Sequence, residues 1–152
     1  MTHTHKDITQ LAARLLKVWK SRLNLSSWLI TLDWCDGDFA KDNAGYPAAA
    51  FTRVDTSRMR ARVFLVGDLG WLAPGQKCPH ASHQHLEDTI VHELLHIYTG
   101  NAMVTQNNLE NILKTHLSPE LEIVVRDLFV EMREGYVEAM VELVMGRKST
   151  RE

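Results

Sequence analysis

Asp88-Thr89-Ile90-Val91-His92-Glu93-Leu94-Leu95-His96-Ile97-Tyr98 is the stretch that decides how the rest of the chain is read. Leu86, Ile90, Val91, Leu94, Leu95 and Tyr98 recur at helical spacing and predict a core-facing stripe, which leaves Thr89, His92, Glu93 and His96 on the other side. Ser82 is an expected N-cap, Glu87 and Asp88 suit the positive helix end, and Gly100 is the expected stop.

His92-Glu93-Leu94-Leu95-His96 has the pattern His-Glu-x-x-His. Residues four apart stand one helical turn above each other, so both imidazoles can reach one cation about 2.0–2.1 Å from each nitrogen. Glu93 then projects beside the metal, where it can take a proton from water without itself being a ligand. The plainer alternative is two histidines and a glutamate decorating the wet side of a helix. The apolar residues opposite them favour the metal reading.

A catalytic zinc needs a third protein ligand and an open position. Ser118-Pro119 predicts the start of a long helix that runs to Val144-Met145 before Gly146. Leu121, Val125, Leu128, Met132, Tyr136, Met140 and Val144 are its expected core face, with Glu131, Glu134, Glu138 and Glu142 on another side. Between Glu120 and Glu142 the acidic residues outnumber Arg126 and Arg133 heavily, a bias that either neutralises a nearby cation or forms a solvated acidic face.

Together these two helices resemble the gluzincins, zinc metallopeptidases with His-Glu-x-x-His on one helix and a glutamate ligand on a later one. Glu134-Gly135-Tyr136 is similar to the Glu-Gly-aromatic core of the glutamate helix in the gluzincin aminopeptidases. The resemblance implies zinc held by His92, His96 and Glu134, and Glu138 supporting His92. A glycine at 135 would let two helices approach closely. Two features depart from the family pattern: the step from His96 to Glu134 is 38 positions, and Arg133 stands where asparagine is usual. Glu138, or Glu131, is therefore an alternative third ligand.

Upstream, Ile8 to Leu23 has the periodicity of an amphipathic helix, and residues 28–34 suit a strand. Ala48 to Val54 and Met59 to Val66 predict a hairpin, and residues 67–82 a surface loop. The expected architecture is a single α+β, zincin-like domain over residues 1–152: a small, mainly antiparallel sheet, an N-terminal helix, the motif helix and the glutamate helix. Either hairpin strand could be the edge on which an extended peptide pairs. Arg58, Arg60 and Arg62 read as a charged guard against unwanted pairing.

Other candidates are weaker. Cys78, His80, His83 and His85 could form a second metal site, but a polar loop explains them more simply. His116 is the preferred candidate for steadying an oxyanion; Tyr46, Tyr98 and Tyr136 qualify by type only, and Tyr98 and Tyr136 are expected in the core. Cys35 and Cys78 read as free thiols, and a deformylase-like hydrolase would want a cysteine ligand in a pattern that is missing here.

Composition sets the outer bounds. With 152 residues, 45% of them hydrophobic and 24% charged, the chain matches one ordinary globular domain. Seventeen basic against 19 acidic residues give a net of -2, which disfavours nucleic acid as a partner apart from a local patch at Arg58, Arg60 and Arg62. No run of about 18 apolar residues predicts a membrane span, no signal peptide is evident, and a cytoplasmic location follows as the expectation. The implied activity is hydrolysis of a peptide or protein substrate. The alternative is a catalytically silent zinc-binding module that binds a protein partner.

Overall fold

In the computed structural model the described residues are 5–36, 38–40, 49–67, 83–114 and 118–147, and for residues 5–6 and 101–114 the description is of backbone alone. Helix α1 (His5–Arg22) leads into β1 (Leu29–Cys35); β2 (Ala50–Asp55) and β3 (Arg60–Val66) follow, and then the helices α2 (His83–Lys114) and α3 (Pro119–Met145). The architecture is α+β, with the helices packed on one face of a three-stranded sheet.

The hairpin forms as expected. Asp55 caps a short 3-10 turn, Thr56–Arg58, by accepting hydrogen bonds from the backbone N–H of Arg58 at 3.2 Å and the Ser57 hydroxyl at 2.6 Å. The sheet itself is mixed rather than mainly antiparallel. Its strand order is β1-β3-β2, with β2 antiparallel to β3 and β1 parallel to it, Leu29 opposite Arg60 and Cys35 opposite Val66. The physical reason is the place of β3. An up-down-up chain pairs antiparallel only where sequence neighbours lie side by side, and here β3 slots between the first two strands. Val63, Phe64 and Leu65 are all buried, so this end of β3 is covered on both faces, while Arg60 and Arg62 lie exposed on the outer one. Met59 to Val66 is therefore excluded as an edge, and Arg60 and Arg62 do not guard one. Among the described residues, β1 and β2 are the edges.

Side chains alternate across this sheet. Ala50, Ala61, Val63 and Leu65 join Ile8, Ala12, Leu15 and Trp19 of α1 and Leu86, Ile90, Val91, Leu94 and Leu95 of α2 in one core. Phe51 and Phe64 stack on the other face with ring centroids 4.7 Å apart.

Two corrections concern the long helices. First, α2 does not stop at Gly100 but runs on to Lys114. A Cβ at Gly100 would lie 3.0 Å from Val54 Cγ1 and 3.2 Å from Thr56 Cγ2, so the glycine serves close packing against the hairpin rather than termination. Second, α3 turns a different side inward. It starts at the Ser118 cap and ends at Gly146, which has φ +66°, as the sequence predicts. Its buried residues, however, are Val137 and Val141, while Leu121, Leu128, Met132 and Tyr136 are exposed. Residues two apart on a helix lie about 200° around it, so directing Glu134 at α2 turns Met132 and Tyr136 outward.

Tyr98 and Tyr136 are thus surface residues, 51% and 60% exposed, not core. The Tyr98 hydroxyl donates to the Leu23 backbone carbonyl at the end of α1. Nor does Gly135 permit a close approach: a Cβ there would meet nothing within 4 Å.

Candidate metal centre

The whole span from Leu86 to Ile97 packs inward, apart from the half-buried Glu87, so the motif lies within the packed interior rather than on a wet helix face. Asp88, His92 and His96 form one stripe facing α3, and Glu93, one position round, faces β2. Helix α3 runs antiparallel to α2: Glu134 meets His92 and His96, Glu138 meets His92, and Arg147 beyond the helix end meets Asp88.

The distances define a small cage. His92 Nε2 and His96 Nε2 are 3.0 Å apart, Glu134 Oε2 is 3.1 Å from His92 Nε2, and Glu134 Oε1 is 3.6 Å from His96 Nε2. At 3.0 Å either one ring nitrogen donates its proton to the other or both turn lone pairs on a shared cation. Donors placed about 2.0–2.1 Å from a tetrahedral zinc stand about 3.3 Å from one another, and these separations bracket that figure. The buried group of His92, His96 and Glu134, its ligand atoms within 4.8 Å of one another, can hold a metal ion.

Neighbouring groups set the orientation of the cage. His92 Nδ1 lies 2.9 Å from Glu138 Oε1, a placement that favours a proton on Nδ1 and so an Nε2 lone pair toward a cation in the cage. The Arg133 guanidinium donates to Glu134 Oε1 from Nε at 3.3 Å and from Nη2 at 3.2 Å. Burial works to raise the Glu134 pKa. When the His92 and His96 rings carry the proton, their hydrogen bonds and charge outweigh it and hold the carboxyl well below its ordinary range.

Glu93, 1% exposed, has its carboxylate 2.9 Å from the Thr52 hydroxyl, which also lies 3.1 Å from the Glu93 backbone carbonyl. Thr52 escapes the motif search, yet its signal is in the sequence: it shares the core-facing side of β2 with Ala50 and Val54, a place where a hydroxyl needs a partner.

At the N-terminal end of α2, Asp88 is fully buried and ion-paired with Arg147 at 2.6 Å, while Glu87 accepts from Trp19 Nε1 at 2.8 Å and lies 3.8 Å from Arg147. These contacts tie α1, α2 and the end of α3 together.

Glu131 is exposed and outside the cage. His83 and His85 occupy the first turn of α2, with no metal cluster formed around them among the described residues. His116, Tyr46, Cys78 and His80 lie outside the described residues. Cys35 is half-buried behind the sheet against Phe51 and Phe64. Among the described residues no helix is long and apolar enough to cross a membrane.

No protein-family model matches this chain, and no curated protein or solved structure is significantly similar to it. The functional argument therefore rests on the cage and its surroundings.

Proposed function

We propose that the chain is a zinc-dependent metallopeptidase of gluzincin type, with a zincin-like use of its α+β elements. One observation carries this reading: the Nε2 atoms of His92 and His96 and the carboxylate of Glu134 converge from two helices, with Glu93 adjacent on the motif helix. Two imidazoles and a carboxylate are the donor set of a catalytic zinc, and a set of three leaves a coordination position open. Zinc supplies Lewis acidity there, acidifying water and polarising a carbonyl oxygen.

Glu93 takes the proton from the attacking water as the new C–O bond forms. It then delivers that proton to the leaving nitrogen as the C–N bond breaks. Thr52 holds the Glu93 carboxylate in one rotamer, Glu138 holds His92 in one tautomer, and Arg133 restrains Glu134. β2, an open edge among the described residues and the strand bearing Thr52, is the place where an extended peptide would pair.

The silent metal-binding module has one observation in its favour, the deep burial of Glu93 and its existing bond to Thr52. Glu93→Gln separates the two readings. A peptidase variant loses turnover of a mixed peptide library, read by mass spectrometry, while retaining about one zinc per chain. A native protein that holds zinc but cleaves nothing in that library favours the silent module; one that takes up no zinc after reconstitution removes both.

A further inference from the structure

We propose that the outer face of the sheet, on the side away from the metal cage, binds a short single-stranded segment of nucleic acid. A groove of about 530 Å³ crosses this face and is lined by Arg53, Arg58, Arg60 and Arg62 with Asp33 and Asp55. The groove carries two surplus positive charges on a chain of net -2, leaving -4 for everything else. A whole-chain count hides this concentration, which is the footprint polyanion binding needs.

The ordinary explanations for these arginines fail. β3 is the central strand, so Arg60 and Arg62 do not shield an edge from pairing. Asp33 and Asp55 offset their charge only in part. Arg60 has no ion-pair partner among the described residues, and Arg58 is 3.8 Å from Asp55 with both side chains largely exposed. Arg62 spends two donors on one oxygen of Asp33, at 3.0 and 3.1 Å.

A second, smaller depression shares Asp33 and Arg62 with the groove, takes in Asp36, and ends at Phe39, with Phe64 buried beneath it against Phe51. The Arg53 guanidinium lies 5.7 Å from the Phe39 ring centre and 5.6 Å from that of Phe64, and Arg62 lies 5.0 Å over Phe64. Phe39 keeps 39% of its surface exposed. The track thus has a basic end and a platform end, where a base can stack on the Phe39 ring or on a guanidinium plane while phosphates follow the arginines. Residues on one face of β3 are about 6.6 Å apart, a step that an extended sugar–phosphate backbone can match. The face offers a duplex no helix or ribbon to insert into a groove. An acidic peptide would use the charges but leave the platform idle.

The proposal is independent of the peptidase reading, and its test uses the full chain with a short fluorescent oligothymidylate, followed by anisotropy. Neutralising three phosphates predicts that affinity falls about twentyfold between about 50 and 200 mM salt. Arg53→Gln combined with Arg60→Gln should weaken binding by at least about tenfold, and Phe39→Ala by about tenfold through lost stacking. Circular dichroism confirms that these variants fold, and His96→Ala should bind the oligonucleotide like the native protein. Any of four results overturns the proposal: no binding by the native chain, binding indifferent to the arginine changes, tighter binding of a duplex of the same sequence, or equal competition by poly-glutamate. The last of these would make the occupant an acidic polypeptide.

Discussion

The Thr52 hydroxyl lies 2.9 Å from Glu93 Oε2, tying an edge strand of the sheet directly to the side chain between the two histidines' positions on α2. Replacing Thr52 with valine keeps the shape and removes the donor. The expected loss of stability is about 1.5–3 kcal/mol, because a buried carboxylate forfeits one hydrogen bond. Bound zinc should be unchanged, and peptide turnover should fall by more than the stability loss explains. Thermal melts and single-turnover kinetics on the same sample separate the two effects.

Glu134 and Glu138 differ in what they touch, and their glutamine variants should differ accordingly. Glu134→Gln removes a donor from the cage and should abolish stoichiometric zinc binding. Glu138→Gln leaves the cage intact but frees the His92 ring, with an expected 10–100-fold loss of affinity, in the range of about 1.4–2.7 kcal/mol. Competition with a chelator of known affinity measures both.

Arg147→Met strands the fully buried Asp88 carboxylate without its ion-pair partner. Breaking a buried pair from one side costs about 3–5 kcal/mol, and the partial exposure of Arg147 argues for the lower end. A drop of roughly 10 °C in Tm is expected for a chain of this size.

The two helical glycines should respond in opposite directions. Gly135→Ala meets open space and should stabilise α3 by about 0.5–1 kcal/mol. Gly100→Ala pushes against Val54 and Thr56 and should destabilise the junction of α2 with the hairpin. Denaturation midpoints compare the pair.

The Asp55 cap predicts a pH effect. The Ser57 hydroxyl, opposed by a little desolvation and helped by the Arg58 N–H, holds the Asp55 carboxyl below 3.8. A lowered folded-state pKa means that the cap's contribution is present above 3.8 and is lost as pH falls through the folded value. In an NMR titration the Asp55 midpoint should lie below 3.8 and move back toward it in Ser57→Ala.

Much of this architecture is legible in local sequence, because caps, turns and amphipathic periods are local. Ser118-Pro119 and Gly146 bound α3, the periodicity of α1 marks Ile8, Leu15 and Trp19, and the hairpin follows from two strand-like runs. What periodicity misjudges is decided by partners. The apolar stripe of α3 is the stronger pattern, yet the carboxylates of Glu134 and Glu138 turn toward the imidazoles of α2, since a buried histidine pair needs them more than the core needs Met132. Gly100 looks like a stop until the hairpin that crosses it is known. The central place of β3 is hinted at by the apolar run Val63-Phe64-Leu65, which follows an alternating Arg60-Ala61-Arg62 start.

Three of the glutamates of α3 fall at 134, 138 and 142, each one helical turn from the next. A slide of α3 by one turn, about 5.4 Å, would bring Glu138 to the place of Glu134 and Glu142 to the place of Glu138, a ladder whose rungs are chemically interchangeable. A bound cation alone therefore cannot tell neighbouring registers apart. Arg147 can, because its closest ion pair is with the fully buried Asp88, beside Glu87 at 3.8 Å, and the far end of the helix pair acts as the pin that selects which rung meets the histidines.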